Sequence, residues 1–408
     1  MKSLAFLTSF YNLNGTLDIR KDYFNYLSKN FKKIYIINTD RLIYFPKFFL
    51  GETKKNEKIY HKIPSNIYLI NPRNQTEFIE FAGKNNLLII NNFGKSFFSL
   101  KIHFLIKKLN LKQIHVDNLG GIGMPAYIEL TKPLRFLNYH IFQNLFKKII
   151  TPSLIFFGLI SRIDIHFTSK KRELESAKKS FVRGFLLKKK LLFSKEYRLV
   201  NSRSYDVLLE NKTKIEEKYI VHLDAEMNGR HEIETRGILK AKDVKAHYYH
   251  LRLFLNKLSR DYSKPVVVCI HPRIRKKEVK KLIKSKFLKG FKIIQYKTRD
   301  YIYKSFLVTN FDTSAVVDAA IIKKRIIGLW SRYMDINQIK HSKTYPNQIG
   351  YLRLNFENHT YKKKELIKTL NKNTSKYDSF INNYHCHKKN INGVYDIISV
   401  LKKRYKCI

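Results

Sequence analysis

The sequence predicts an α/β fold built from two Rossmann-like, doubly wound domains. Short apolar runs alternate with longer amphipathic stretches, the pattern of strands covered on both faces by helices. This alternation breaks off in a charge-dense stretch and restarts near Lys218. The chain's 408 residues suffice for two domains of ordinary size, each with its own core.

The first half supplies strands over residues 3–9, 33–38, 67–71, 87–92 and 113–117, with helices over 19–30, 76–83 and 96–109. The opening apolar run is short, lacks a small-residue cleavage pattern and gives way to Tyr11, Asn12, Asn14 and Gly15, so it reads as a buried strand rather than a signal peptide. Residues 134–160 read as a long or broken helical region. Their apolar part, 149–160, holds Pro152 and Ser153 and is too short to span a bilayer. A strand follows over 163–168. The charge-dense residues 170–195, with Asn201, Ser202 and Ser204 beyond them, read as an interdomain connection.

The second half runs as strand 218–224, helix 241–261, strand 265–270, helix 276–286, strand 291–295, short helix 301–304, strand 306–310, helix 315–322 and strand 326–330. In the helix from 241, Val244, Tyr248, Leu251, Leu255 and Leu258 recur at spacings of three and four, an apolar stripe that assigns Tyr248 to the core. Residues 390–405 read as a final helix packing back near the domain boundary. The chain shows no repeat and no low-complexity tract.

Polar clusters stand where these strands end. The apolar run 265–270 leads into His271, Pro272 and Arg273. In open parallel sheets ligands lie beyond the carboxyl ends of the strands, which is where His271 and Arg273 fall. Some forty residues on, strand 306–310 leads into Phe311, Asp312, Thr313 and Ser314. Thr313 and Ser314 would open the next helix, whose first amides and positive dipole end suit an anion. Lys297 and Thr298 follow strand 291–295. Asp224 ends the first strand of the second half, with His231 and Glu232 in the loop after it.

Each of these residues also has a plainer reading. His271-Pro272 can be a strand closing in a proline turn, Lys297 one of many surface lysines, and His231 a surface loop residue. Asp312 would repel a phosphate and can instead cap the helix that follows. In the first half, Asp117 ends a strand and precedes Asn118, Leu119, Gly120, Gly121, Ile122 and Gly123, a loop whose backbone can approach a ligand closely. Those glycines do not form the dinucleotide-binding G-x-G-x-x-G.

The order Leu223-Asp224, His231, Tyr248-Tyr249, His271-Pro272-Arg273, Lys297-Thr298, Thr313-Ser314 resembles that of bacterial capsule and lipopolysaccharide biosynthesis proteins. More broadly it resembles the nucleotide-binding half of surface-polysaccharide glycosyltransferases with the GT-B architecture, among them relatives of sialyltransferases, Kdo transferases and glycerophosphotransferases that carry an HP motif and a later serine motif. The likeness covers about 110 residues. It departs where a His or Asp followed by Ser-Ser or Ser-Thr is expected: this chain has Phe311-Asp312-Thr313-Ser314, which keeps a hydroxyl pair with shifted neighbours.

The resemblance implies two doubly wound domains around a cleft. Residues 1–195 would form the acceptor-side domain, 196–385 the nucleotide-sugar-binding domain and 386–408 a C-terminal helix. It implies transfer of a sugar from a nucleotide-activated donor, CMP- or CDP-linked by the HP motif, to a surface glycan or lipid-linked acceptor, with no metal cofactor. Transfer needs a neutralised leaving phosphate, a deprotonated acceptor hydroxyl and a shielded reaction centre. His271 and Arg273 are the candidates for the first task, helped by Thr313 and Ser314, and Lys297 and Thr298 could reach the nucleotide or its phosphate. Asp117 is the candidate base, with Asp224 and His231 as further catalytic candidates.

Composition bounds the alternatives. With 44% hydrophobic and 14% aromatic residues the chain is not disordered, and 80 Lys and Arg against 32 acidic residues leave a formal charge of +48. Such a field attracts nucleic acid, anionic lipid or phosphorylated substrates, although a lysine-rich composition also arises from an AT-rich coding sequence. No helix-turn-helix, zinc or RNP-type signature marks a specific nucleic-acid partner. Cys269, Cys386 and Cys407 are too few and scattered for a disulfide framework, and His385-Cys386-His387 lacks the second ligand pair of a tetrahedral site. The expected location is the cytoplasm, peripheral to the inner face of the cytoplasmic membrane. Two rival readings are a nucleotide-sugar 2-epimerase of the same fold and a basic nucleic-acid- or membrane-binding protein without catalysis.

Overall fold

A computed structural model describes residues 2–8, 17, 21–42, 63–93, 100–117, 149–171, 174–175, 193–210, 215–224, 243–270, 286–295, 297–311, 313–334, 339, 342–358 and 360–407. They divide into two compact units. One takes the described residues up to Asp206 together with those from Asn383; the other takes those from Val207 to Asn382.

The first unit runs β1 (Ser3–Thr8), α1 (Lys21–Ser28), β2 (Ile34–Asn38), β3 (Ile67–Ile70), α2 (Gln75–Lys84), β4 (Leu87–Asn91), α3 (Leu100–Lys108), β5 (Lys112–Asp117), α4 (Thr151–Phe156), β6 (Ile163–Thr168) and β7 (Ser194–Leu199); the boundary with the second unit falls within α5 (Arg203–Glu210). Its seven strands pair in the order β3-β2-β1-β4-β5-β6-β7. Every pairing is parallel. Successive side chains of a strand face opposite ways. Leu4 and Phe6 accordingly join one buried cluster, with Phe24 and Leu27 of α1, while Ala5 and Leu7 join another, with Phe78 of α2 and Ile102 and Ile106 of α3.

The second unit runs β8 (Tyr219–Leu223), α6 (Val244–Tyr262), β9 (Val266–Cys269), β10 (Lys292–Ile294), α7 (Thr298–Tyr303), β11 (Ser305–Asn310), α8 (Val316–Ile321), β12 (Arg325–Trp330), α9 (Thr344–Ile349), β13 (Leu352–Asn355), α10 (Lys363–Thr374) and α11 (Tyr377–Tyr384). Its sheet is also parallel throughout, in the order β10-β9-β8-β11-β12-β13. The expected stripe of α6 is there: Tyr248, Leu251, Leu255 and Leu258 are fully buried, with Phe254 filling the same side. Asp243 caps this helix by accepting from the Ala246 amide, and Ser263 ends it in the left-handed conformation.

The last helix, α12 (Gly393–Tyr405), belongs to the first unit. Val394, Ile397, Ile398 and Leu401 pack into the cluster that holds β1 and α1, and Tyr395 meets Tyr26 edge-on. Arg198 of β7 pairs with Asp396 at 2.8 Å.

The strands and helices expected in both halves are present wherever they fall among the described residues, with ends shifted by a few residues. The helix expected over 276–286 lies almost wholly outside those residues, as does most of 134–160. Three differences are informative. Residues 194–199, placed at the end of the interdomain connection, form edge strand β7: Ser-Lys-Glu-Tyr-Arg-Leu carries no apolar run, but a parallel edge needs only backbone pairing with β6. Residues 203–210, also beyond any expected element, are helical. In the second unit, β13 and helices α9 to α11 occupy a stretch for which no element was expected. Among the described residues no helix is long and apolar enough to cross a membrane.

Candidate functional site

Each sheet reverses its strand order once, between β1 and β4 in the first unit and between β8 and β11 in the second. At such a switch point the loops beyond neighbouring carboxyl ends diverge and leave a crevice, the usual ligand position of open α/β sheets.

In the second unit, Asp224 directly follows β8, and Thr313 and Ser314 follow β11, so these residues flank the switch point. Next to β8 stands β9, after which His271 and Arg273 come in sequence. Next again is β10, followed by Lys297 and Thr298. Four neighbouring parallel strands thus end on one edge, each succeeded by one of the expected polar clusters. His231, His271, Arg273 and Asp312 themselves lie outside the described residues.

Asp224 is buried. Its amide donates to the Cys269 carbonyl at 3.0 Å, and its Oδ2 accepts from Tyr248 Oη at 3.2 Å. Tyr248 therefore has a polar task at the inner end of its apolar stripe. Lys297 is exposed and Thr298 half-buried, opening α7, with the Thr298 hydroxyl near the Cys269 thiol. Burial pushes that thiol up to about 12, with Thr298 opposing, so Cys269 is a small hydrophobe of the strand and not a nucleophile.

Thr313 is half-buried and Ser314 exposed. The Val316 and Val317 amides donate to the carbonyls of Thr313 and Ser314, both at 3.1 Å, and the Ala315 amide donates to Thr313 Oγ1 at 3.4 Å. The helix they precede has six residues, Val316–Ile321, and Arg299 of α7 ties to it through Asp318 at 3.1 Å.

Behind this edge lies a pair of histidines that the sequence reading passed over. His222, in β8, bonds Thr309 Oγ1 through Nδ1 at 2.9 Å; His247, in α6, bonds Ser331 Oγ through Nδ1 at 3.2 Å. Both rings are fully buried and both pack on Phe311. Burial holds each at about 3, and for His222 the neighbouring His247 adds to the effect, so both are neutral at pH 7.

In the first unit, Asp117 ends β5 and meets Lys170, two residues past the end of β6, at 2.8 Å. Burial would raise this carboxyl. The charge and hydrogen bond of Lys170 outweigh it, with smaller help from His115 and His166, and the net shift is downward. Asp117 is thus an anion at neutral pH, held by a cation. His115 Nδ1 lies 2.7 Å from the Asn91 carbonyl; a carbonyl only accepts, so Nδ1 carries the proton. Its ring meets that of His166 edge-on at 4.4 Å. Lys170 was missed in the sequence because it sits in a lysine-rich stretch. Its one signal was position, just beyond a strand that neighbours β5.

The His385-Cys386-His387 triplet is divided between protein partners. His385 Nδ1 bonds Ser202 Oγ at 2.8 Å, and His387 Nε2 donates to the Ser169 carbonyl at 2.7 Å. Among the described residues no group of three or more His, Cys, Asp or Glu is placed to hold a metal ion.

No protein-family model and no curated protein matches the chain. Solved structures do. The wall teichoic acid polymerase TagF superposes with a TM-score of 0.55 at 14% identity, over 99% of this chain and 89% of that chain. A TagF variant soaked with CDPG gives 0.52 at 13% identity, over the same shares. A UDP-GlcNAc 2-epimerase from Methanocaldococcus jannaschii, in complex with UDP-GlcNAc and UDP, gives 0.44 at 16% identity, over 99% of this chain and 100% of that one. At these identities the likeness is one of fold. The fold class is the expected one: α/β, with two Rossmann-like doubly wound units of the GT-B kind.

Proposed function

We propose that this protein is a glycosyltransferase that moves a sugar from a nucleotide-activated donor to a surface glycan or lipid-linked acceptor, working peripherally at a membrane. The observation that supports this most is the set of four neighbouring strand ends in the second unit. Polar clusters recognised in sequence order follow β8, β9, β10 and β11, on both sides of a switch point, where an open parallel sheet takes its ligand.

In this reading His271 and Arg273 neutralise the leaving phosphate. Thr313 and Ser314 add hydroxyl donors, and Lys297 and Thr298 contact the nucleotide. Asp224, buried against Tyr248, orients the donor side, with His231 in the loop beyond it as a phosphate ligand. Asp117 takes the acceptor proton, and Lys170 keeps it ionised between turnovers. The donor nucleotide is a cytidine nucleotide, CMP or CDP, by the HP motif.

The deciding measurement is a thermal-shift series with CMP, CDP, UDP and GDP. A nucleotide that binds only the folded chain raises its stability with the logarithm of concentration above Kd. A rise with one nucleotide, followed by product formation from its sugar conjugate, supports transfer. No rise with any of them removes the reading.

A further inference from the structure

We propose that α3 and α4 of the first unit present a docking surface for an anionic phospholipid bilayer. This deepens the membrane-peripheral reading above by naming the surface. It rests on that reading only for its biological purpose.

Residues 149–161 carry no charge, and four of their apolar side chains face outward. Phe157 is 72% exposed, and Ile149, Phe156 and Leu159 are between 48% and 57% exposed. The segment is nonetheless fixed in place. Ile155 and Ile160 are buried with Ile163 and Phe193. Gly158, at φ +69°, closes α4 in the left-handed conformation, and the amides of Phe157, Gly158 and Leu159 donate to the carbonyls of Ser153, Ile155 and Leu154. The exposed rings are held outward by a capped turn, although the fold's own core does not use them. Large exposed apolar groups clustered in this way mark interaction sites.

The partner is indicated by charge. α3 buries Ile102, Leu105 and Ile106 and exposes Lys101, Phe104, Lys107 and Lys108, a basic face with a phenylalanine in its middle. α3 and the α4 segment adjoin. His103 of α3 meets Phe193 edge-on at 5.4 Å, and Asn91, 3.4 Å from His103, donates to Gln113, whose amide donates to the Ser161 carbonyl. Aromatic and aliphatic groups beside a row of lysines suit the interface of an anionic bilayer, where apolar side chains enter the headgroup boundary and lysines meet lipid phosphates. A second copy of this chain, itself strongly basic, would place lysine against lysine.

The test is flotation of the full chain with vesicles of phosphatidylglycerol and phosphatidylcholine, against phosphatidylcholine alone. The wild type should float with the anionic vesicles only, and Phe156→Ser/Phe157→Ser should lower recovery by about tenfold or more. Lys101→Glu/Lys107→Glu/Lys108→Glu should do the same. Lys364→Glu/Lys368→Glu/Lys372→Glu, an equal charge change on exposed residues of α10 in the other unit, should not. The proposal is overturned by equal flotation on both vesicle types, by unchanged flotation of the phenylalanine variant, or by equal losses in the two lysine variants. It is also overturned if the phenylalanine variant merely abolishes self-association in sedimentation while flotation persists. Nucleotide-induced thermal shifts, read on the same variants, report separately on the transferase reading.

Discussion

Lys170 Nζ lies 2.8 Å from Asp117 Oδ2, and both side chains are only partly exposed, at 20% and 29%. Adjacent parallel strands deliver them: Asp117 is paired in register with Thr168, and Lys170 follows two residues on, its amide donating to Thr168 Oγ1 at 3.2 Å. A carboxylate held in this way stays ionised but is a weak base. Lys170→Met should therefore raise the Asp117 pKa, because burial then acts unopposed by its main counter-charge. If Asp117 takes the acceptor proton, the acid limb of the transfer rate against pH moves upward. A limb that stays in place in the folded variant means that Asp117 does not report on the rate.

Asp117→Asn should preserve nucleotide binding while lowering transfer by about a hundred- to ten-thousand-fold, the usual loss for a general base. An amide has the shape of the carboxylate but cannot take the proton. Thermal shifts with nucleotide measure the first quantity, and product release from a sugar nucleotide measures the second. Unchanged transfer would move the base to Asp224 or His231.

His271→Ala and Arg273→Ala should each abolish the thermal shift with nucleotide and leave the melting temperature of the free chain within a few degrees. Both residues follow a strand whose four residues, Val266 to Cys269, are all buried, so the core remains in place without them. Retained nucleotide affinity in both variants would remove the phosphate-site assignment.

Legibility of the fold tracked how strongly burial writes itself into residue type. β9 is Val-Val-Val-Cys and covered on both faces, so its apolar run announced a central parallel strand. β7 and β13 stand at sheet edges and read Ser-Lys-Glu-Tyr-Arg-Leu and Leu-Arg-Leu-Asn, only partly buried. Their pairing is made by the backbone, which leaves little mark on the side chains. The strand ends of the second unit were legible because apolar runs mark β8, β9 and β11. The Lys170–Asp117 pair was not, because 53 residues separate its members and only strand adjacency joins them. His222 and His247 were hidden for a related reason: each bonds a hydroxyl that is 84 or more residues away.

These two histidines give stability a pH dependence. Folded, each titrates near 3; unfolded, each returns to its ordinary value of 6.5. Below 6.5 the unfolded chain takes up protons that the folded chain refuses, so the stability they contribute is complete above that pH and declines as pH falls toward 3. The slope is about 1.4 kcal/mol per pH unit for each group. Urea unfolding of the second unit should therefore show a lower midpoint at pH 5 than at pH 7.5, and His222→Gln should reduce the difference. An unchanged midpoint between the two pH values would contradict the burial of neutral rings.

The last prediction concerns the seat of α12. Asn201 is buried and fully engaged. Its amide nitrogen donates to the carbonyls of Lys388 and Ile391, both at 2.6 Å, and its Oδ1 accepts from the amides of His387 and Lys388 at 2.7 and 3.1 Å. Gly393 opens the helix against the same residue, and a Cβ there would press into the Asn201 backbone. The Gly393 amide meanwhile donates to Asp206 at 2.9 Å. Asn201→Ala strands these backbone groups and should cost about 2 to 4 kcal/mol. Gly393→Ala should be destabilising through the clash alone, although alanine is the better helix former. Since α12 completes the cluster around β1 and α1, both losses belong to the first unit. Protection of amides in β1 and β2 should fall in hydrogen exchange while β8 and β9 keep theirs. Uniform loss across both sheets would mean that the units do not unfold separately.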